Sequence, residues 1–289
     1  MPLIDITGRD KVQVAIERLR AFEPPEGYWL AYSGGKDSDT ILALAKMAGV
    51  KFEAHYSITS VDPPEVLRHI KSHPEVIRDF PGITMWELIV KNRYPPTVTQ
   101  RYCCKVLKES AGKGRVTVTG VRWAESAKRR GNQGVATVMG RKKRQAIILN
   151  DENDESRRMV EQCYRTKKTL VNPIIDWDDT DVWEFLRGYG VSYCELYDQG
   201  YDRLGCIGCP MNRKMAVTDF ERWPTYREKY IKTFDRMLGA MKQRGKATRH
   251  KTGEDVMAWW LDDSRREKDL DGQLAIDYDW DEDAENGEE

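Results

Sequence analysis

The stretch that decides the fold is Ser33-Gly34-Gly35-Lys36-Asp37-Ser38. Residues 27–32, before it, form a short apolar and aromatic segment, and residues 39–48, after it, are good helix formers. This order predicts a glycine turn that joins a buried strand to a helix. Such a turn points backbone N–H groups and the positive end of a helix dipole at one spot, where an anion binds. We therefore expect a phosphate or pyrophosphate there, bonded also by Lys36 and by the hydroxyl groups of Ser33 and Ser38.

The charges of the chain are segregated along the sequence. The 289 residues carry 47 basic and 47 acidic side chains, so the formal net charge is zero. Residues 101–144 nevertheless contain thirteen Lys or Arg against two acidic residues, and residues 276–289 contain eight acidic residues and no basic one. The first segment is interpreted as a polyanion-binding surface, with a solvated loop as the alternative. The second is expected to be a solvated acidic tail.

No apolar run approaches the length that spans a membrane, and the N-terminus lacks a signal-peptide core. The sequence therefore predicts a cytoplasmic protein without a membrane partner. In that compartment structural disulfides are rare, so the six cysteines need another explanation.

Strands and helices alternate over most of the chain. Helices are expected over residues 8–22, 39–48, 65–72, 181–187, 219–244 and 253–268. Strands are expected over residues 27–32, 52–58, 115–121 and 170–174, with a basic loop or hairpin over 127–146. The pattern predicts an α/β fold with a doubly wound, mostly parallel sheet. We expect a nucleotide-binding domain over residues 1–212, a helical extension over 213–275 and a disordered tail over 276–289.

Two cysteine pairs lie about a hundred residues apart, namely Cys103-Cys104 and the C-x-x-C of Cys206 and Cys209. Thiolate sites with four ligands select zinc or an iron–sulfur cluster. Buried packing is the alternative for cysteines, and it is the favoured interpretation of Cys163. Cys194 lies twelve residues before Cys206 and is a possible replacement ligand.

The remaining histidines and C-terminal aromatic residues carry less information. The histidines show no metal-ligand spacing on one face and are interpreted as structural or exposed; they are His55, His69, His73 and His250. Aromatic residues at helical spacing are interpreted as helix packing; they are Phe220, Trp223, Tyr226 and Tyr230.

Six ordered motifs carry a resemblance to a known family. They are residues 33–38, 61–65, 101–108, 119–126 (Thr-Gly-Val-Arg-Trp-Ala-Glu-Ser), 172–177 and 197–206. Between about Trp29 and Pro210 the chain resembles the phosphoadenylyl-sulfate (PAPS) reductase-like branch of the PP-loop ATP pyrophosphatase superfamily. The resemblance implies that residues 33–38 are a PP-loop. It also implies that Cys103, Cys104, Cys206 and Cys209 hold a 4Fe-4S cluster, as a similar set does in adenylyl-sulfate (APS) reductases.

One departure from the reductases bears on the reaction. Those enzymes use a separate cysteine near the C-terminus as the nucleophile toward the sulfate sulfur, and this chain has no cysteine after Cys209. Without it, the covalent S-sulfo intermediate has no obvious attachment point, unless Cys194 or Cys163 takes the place of that cysteine. The chain is closer in character to the DndC- and SspD-type sulfurtransferases of DNA phosphorothioation systems.

That resemblance implies an ATP pyrophosphatase that adenylylates a nucleic-acid acceptor and installs sulfur from a cysteine desulfurase. DNA is favoured over tRNA as the acceptor, although phosphate contacts do not distinguish them. The alternatives are a PAPS or APS reductase and a tRNA thiolation enzyme. A pure binding module is least favoured, because Lys36 and Arg122 stand where catalysis needs them.

The expected chemistry assigns roles to individual residues. Lys36, Asp37 and Arg122 are the candidate catalytic residues, with Asp37 near a phosphate-bound Mg²⁺ and Arg122 near the developing charge. The residues expected to contact ATP are Ser33, Gly34, Gly35, Lys36, Ser38, Asp62, Gly120 and Arg122. Lys105 and Arg129 are further candidate cations.

Overall fold

One seven-stranded sheet organises the computed structural model, which describes residues 3–5, 8–109, 111–112, 114–139, 144–147, 169–246 and 248–262. The strands lie in the order β3-β2-β1-β4-β7-β5-β6. Their bounds are β1 Tyr28–Ala31, β2 Phe52–Ser57, β3 Val76–Asp79, β4 Val116–Val118, β5 Ala136–Met139, β6 Arg144–Ile147 and β7 Thr169–Val171. Six strands run in the same direction, and β5 runs antiparallel to both of its neighbours, β7 and β6. The predicted mostly parallel α/β fold is confirmed.

Ten α-helices are described alongside this sheet. They are α1 Lys11–Ala21, α2 Lys36–Ala48, α3 Pro64–Lys71, α4 Met85–Asn92, α5 Tyr102–Cys104, α6 Ala127–Asn132, α7 Asp179–Gly188, α8 Arg213–Arg222, α9 Pro224–Gln243 and α10 Gly253–Leu261. A π-helical segment, Lys105–Glu109, continues α5. No helix in the described part of the chain is long and apolar enough to cross a bilayer.

The apolar pattern of the strands explains where the core lies. All three residues of β4 are buried, as are Tyr28 and Leu30 of β1. Val116 and Val118 of β4 point to one face of the sheet, and Thr117, which is also buried, points to the other, so the strand is covered on both faces. These two strands are neighbours at the centre of the sheet, so the loops that follow them meet at one edge.

Several predicted bounds are corrected by local chemistry. Helix α2 begins at Lys36 rather than after Ser38, because Gly35 is its N-cap and the Ser38 hydroxyl bonds Gly35. The expected helix over 219–244 is two helices, since Pro224 cannot continue α8 but fits the first turn of α9. Helix α4 went unpredicted, although Thr84 and Glu87 form a capping box at its start.

The C-terminal helices pack on the sheet domain. Helix α9 contacts α4 and α10, and the indole N–H of Trp260 donates to the carbonyl of Pro96 at 2.7 Å. The rings of Phe220 and Tyr230 lie 5.6 Å apart, edge to face, as expected of helix packing. The predicted acidic tail over 276–289 and Cys163 lie outside the described residues.

Candidate functional site: a PP-loop beside a cysteine cavity

The PP-loop lies between the carboxyl end of β1 and the first turn of α2. Gly34 has φ +73°, a conformation that side chains resist, and a Cβ there would lie 3.0 Å from Cγ1 of Ile70 on α3. The sheet order reverses at this point, because β2 and β4 lie on opposite sides of β1. Ligands of doubly wound sheets bind at such a switch point.

The loop residues are held by hydrogen bonds within the loop and from a distant segment. The Ser38 hydroxyl donates to the Gly35 carbonyl at 2.8 Å and accepts the Gly35 N–H at 3.0 Å. The Ser33 hydroxyl donates to that of Ser38 at 3.3 Å. The Lys36 N–H donates to the hydroxyl of Tyr197 at 2.9 Å. The Tyr197 hydroxyl oxygen therefore lies at a position where the N-terminus of α2 can bind an oxygen of an anion.

Lys36 projects into a partly enclosed space. Its side chain is only 9% exposed, and its ammonium lies 3.4 Å from Oδ1 of Asp179 and donates to the Asp202 carbonyl at 3.2 Å. The ammonium also lies over the Tyr197 ring, 5.6 Å from its centroid. A cation held this way is oriented before a ligand arrives, so it binds a phosphate without further ordering of its side chain.

Arg122 links the PP-loop to the start of α7. It is 2% exposed, and its guanidinium donates to Oδ1 of Asp37 and to Oδ1 of Asp179, both at 2.7 Å. A third contact reaches the Trp177 carbonyl at 3.4 Å. Although burial opposes it, the bond from Arg122 and the charge of Lys36 lower the pKa of Asp179. Two cations and two carboxylates thus alternate beside the loop.

The other predicted nucleotide contacts fall in two places. Gly120 lies against the loop, where a Cβ would come within 2.9 Å of the Asp37 Cβ. Asp62 lies away from the loop, because its carboxylate accepts the hydroxyls of Tyr56 and Thr59. Thr59 lines the cysteine cavity described below, so Asp62 belongs to the wall between the two sites.

Only part of the basic segment 101–144 faces the loop. Burial and then the charges of Arg203, Arg122 and Arg101 lower the pKa of Arg129, while Asp37 opposes the shift, so these groups lie within electrostatic reach of one another. Arg115 instead pairs with Glu53 at the opposite end of β4. The sequence analysis did not single out Arg203, although this residue lies in the motif of residues 197–206.

Cys103, Cys104, Cys206 and Cys209 line one cavity of about 30 Å³. The remaining lining is mostly apolar and includes Leu107 and Tyr230. Among the described residues, no three side chains that include a cysteine have ligand atoms within 4.8 Å of one another. The four thiols therefore face a common space but are spread around it.

Two cations accompany the thiols. The Arg101 guanidinium donates to Sγ of Cys104 at 3.6 Å. The hydrogen bond from Cys103, followed by the charge of Arg101, holds the pKa of Cys104 well below its ordinary value although burial opposes it. The negative charge of Cys206 raises the pKa of Lys108, and burial raises the pKa of Cys206 to about 11 against the opposing charge of Lys108. Of these thiols, Cys104 is therefore the one whose anion is stabilised, by Cys103 and Arg101, whereas burial favours the neutral form of Cys206.

Cys194 lies elsewhere. It is completely buried in the hydrophobic core and does not line the cavity. Burial raises its pKa, and the nearest charges that act on it include Asp39 and Glu195. The structure therefore brings together the four paired cysteines and leaves the replacement ligand out.

The C-x-x-C turn is shaped by the C-terminal helices. Gly208 has φ +70°, and a Cβ there would lie 2.4 Å from the ring of Phe220 on α8. Next to it, the Ile207 carbonyl accepts the Tyr230 hydroxyl at 3.1 Å, and the Ile207 N–H donates to Val61 at 2.8 Å. The extension predicted as a separate segment thus forms one wall of the cysteine site.

Asp219 on α8 makes the stability of the protein depend on pH. Burial raises the pKa of its carboxyl to about 6, against the bond from the Gly208 N–H. Since the unfolded chain ionises first, the free energy of unfolding falls as the pH rises from about 4 to 6. Asp219→Asn should remove this loss and stabilise the protein by about 1 to 2 kcal/mol at pH 7.5, with little effect at pH 4. Urea unfolding at both values measures it.

The matched control is Glu221→Gln, an exposed carboxyl on the same helix, for which no such pH-dependent gain is expected. Equal stabilisation by Asp219→Asn at both pH values would contradict the assignment.

Residues 27–212 match the phosphoadenosine phosphosulfate reductase domain. The chain belongs to this family. The membership inferred from the six motifs is confirmed, and it places the PP-loop, Arg122 and all four cavity cysteines inside the family's domain. The helices α8, α9 and α10, which complete the cysteine site, follow it.

Individual proteins are also similar to this chain in sequence. The chain is 27% identical over 226 residues to an uncharacterized protein of Methanocaldococcus jannaschii, covering 74% of this chain and 47% of that protein. It is 44% identical over 45 residues to the adenosine 5'-phosphosulfate reductase of Oceanobacillus iheyensis, covering 16% of this chain and 19% of that enzyme. The chain thus spans less than half the length of these curated relatives.

Among solved structures, the phosphoadenylyl-sulfate reductase of Candida auris is similar with a TM-score of 0.45 and 16% identity. The match covers 66% of this chain and 87% of that one.

Proposed function

We propose that this protein is an ATP pyrophosphatase that adenylylates a nucleic-acid phosphate and prepares it for sulfur incorporation. The observation that carries the proposal is the pairing of two features in one domain. The PP-loop, with its oriented Lys36, lies beside an arginine group that consists of Arg122, Arg129 and Arg203. The cavity lined by the four thiols lies next to them. The first suits transfer from ATP, and the second suits sulfur chemistry.

In the proposed reaction an acceptor oxygen attacks the α-phosphorus of ATP and the α–β bridging bond breaks. Pyrophosphate leaves with the electron pair of that bond, and AMP stays on the acceptor. The N-terminus of α2 and the Lys36 ammonium receive the negative charge on the departing phosphates. In this proposal Arg129 and Arg203, which lie within electrostatic reach of each other, contribute positive charge near the acceptor phosphate. Sulfide-level sulfur, released from the persulfide of a cysteine desulfurase by a thiol reductant, then forms a bond to the acceptor phosphorus. AMP leaves with the electron pair of the phosphorus–oxygen bond that joined it to the acceptor.

The carboxylates of Asp37 and Asp179 fit a Mg²⁺ ion that is shared with the phosphates. Each accepts a hydrogen bond from Arg122 through its Oδ1, and their side chains are 26% and 69% exposed. Mg²⁺ is usually held in nucleotide enzymes by one or two carboxylates together with substrate phosphates. Bound there, it would neutralise phosphate charge.

The four cavity thiols fit a polynuclear cluster better than one zinc ion. A tetrahedral Zn–S distance near 2.3 Å requires sulfur atoms about 3.8 Å apart. No three ligand atoms that include a cysteine lie within 4.8 Å in the described residues, so a single ion would need the site to contract. We therefore propose that Cys103, Cys104, Cys206 and Cys209 hold a 4Fe-4S cluster, which would supply sulfur-handling or electron-transfer chemistry.

The proposed partners follow from this chemistry. A nucleic acid, DNA in preference to tRNA, supplies the phosphate, and the arginine group supplies sequence-independent contacts to it. A cysteine desulfurase supplies the sulfur.

A reductase of adenylyl sulfates is the second candidate, and the family match favours it. It requires a thiol that can reach the nucleotide. Among the described cysteines, the four of the cavity are assigned to the proposed cluster and Cys194 is buried in the core, while Cys163 lies outside the described residues. This observation favours the ATP reaction.

The deciding experiment measures pyrophosphate release from ATP by anaerobically purified protein, with and without DNA. A parallel assay measures thiol-dependent sulfite release from APS and PAPS. We expect pyrophosphate that rises with DNA and no sulfite. Sulfite without pyrophosphate would overturn the proposal and identify a reductase.

Separate replacement of Cys206 and Cys209 by serine should remove the cluster. We expect the visible iron–sulfur absorbance and the iron content to fall at least about 10-fold, since each thiolate is a ligand. Cys194→Ser is the matched control, because its thiol does not line the cavity, and it should retain iron. Loss of iron in Cys194→Ser, with retention in Cys206→Ser, would show that the ligand set is wrong.

A further inference from the structure

A second cluster of ligating side chains lies behind the PP-loop. It consists of Asp39 on α2, His69 on α3 and His73 just beyond α3. One carboxylate oxygen and one ring nitrogen from each histidine lie within 4.8 Å of one another. It is the one group of three or more His, Cys, Asp or Glu with this spacing in the described part of the chain. The earlier interpretation of these histidines as structural or exposed overlooked their separation by four residues.

The cluster contains buried polar atoms that lack partners. Asp39 is 1% exposed, and its Oδ1 accepts the Tyr32 hydroxyl at 2.6 Å and lies 3.0 Å from Nε2 of His69. Its Oδ2 has no hydrogen-bond partner, and neither has Nε2 of His73. An unpaired carboxylate oxygen and an unpaired imidazole nitrogen are both costly to bury. A cation between them would satisfy both.

The surroundings also fit a metal ion. The Tyr32 hydroxyl binds Oδ1 and so orients the carboxylate with Oδ2 free. Nδ1 of His73 lies 3.6 Å from the Glu75 carboxylate, so a negative charge stands close to this ring. Two imidazoles and one carboxylate are a donor set that zinc and similar divalent ions prefer.

We propose that Asp39, His69 and His73 bind one divalent transition-metal ion of the zinc type. The ion joins α2 to α3 immediately behind the loop, where Gly34 packs against Ile70. Its role is structural, because Asp39 is enclosed. The His73 side chain, 14% exposed, is the most accessible of the three.

Cobalt(II) is the test ion, because its visible spectrum separates nitrogen–oxygen sites from thiolate sites. Anaerobically purified full-length protein is titrated with Co²⁺, and we expect one equivalent with d–d bands but no thiolate charge-transfer band. His73→Gln should weaken this binding at least about 100-fold, more than loss of an outer partner does. His250→Gln, a histidine outside the cluster, should bind like the wild type.

Thermal unfolding provides a second measurement that needs no activity assay and that also reveals whether a variant is folded. Co²⁺ should raise the melting temperature of the wild type and of His250→Gln but not of His73→Gln. Without metal, His73→Gln should melt slightly below the wild type, because it loses the ring contacts with Tyr32 and His69 and the approach to Glu75; the shift caused by Co²⁺ is therefore measured against each variant's own metal-free value. Identical Co²⁺ binding by His73→Gln, or binding by the wild type that shows only thiolate bands, would overturn the proposal and leave a purely hydrogen-bonded cluster.

Discussion

Lys36→Ala is expected to lower pyrophosphate release from ATP at least about 100-fold, because an oriented charge that faces the leaving phosphates contributes to the transition state. The Lys36 ammonium is held by Asp179 and by the Asp202 carbonyl, so its position is fixed before ATP binds. Single-turnover release of pyrophosphate is the measurement, with the KM for ATP recorded beside it. A loss in kcat that exceeds the change in KM indicates action in the transition state.

Lys46→Ala is the matched control, since Lys46 lies in the last turn of the same helix and is 52% exposed. It should release pyrophosphate at the wild-type rate. Turnover by Lys36→Ala within about threefold of the wild type would exclude Lys36 from the reaction.

Arg122→Leu is expected to have the largest effect on stability. It removes the guanidinium that bridges Asp37 and Asp179 and leaves two carboxylates beside each other. Breaking a buried pair costs about 3 to 5 kcal/mol, and the partial exposure of both carboxylates reduces the expected loss to about 2 kcal/mol. Urea unfolding measures the change. Arg122→Lys should not restore activity, because an ammonium cannot bridge both carboxylates as a fork.

Arg115→Leu provides the comparison for this variant. Arg115 pairs with the exposed Glu53 and donates to the Gly27 carbonyl, away from the PP-loop, so its loss should cost less than that of Arg122 and leave catalysis unchanged. If Arg122→Leu were no less stable than Arg115→Leu, the bridge would not contribute to stability.

The sequence predicted the loop and its flanks because their information is local. A pair of glycines between a buried strand and a helix-forming segment is compatible with few structures other than a tight turn. Gly34 adopts the positive φ that such a turn requires. Helix α4 was missed although Met85, Leu88 and Ile89 are buried at helical spacing, because the half-buried apolar residues Trp86 and Val90 hide that stripe in the sequence.

The sequence by itself determined the fold class, the PP-loop and the two cysteine pairs, since each depends on residues that are close together in the chain. Only the tertiary structure decided which distant groups meet. Tyr197 reaches Lys36, and Asp179 reaches Arg122, across 161 and 57 residues. It also separated Cys194 from the other four cysteines and joined Asp39 to His69 and His73. The physical reason is that such contacts are set by the packing of helices and strands, which fixes directions that no local pattern encodes.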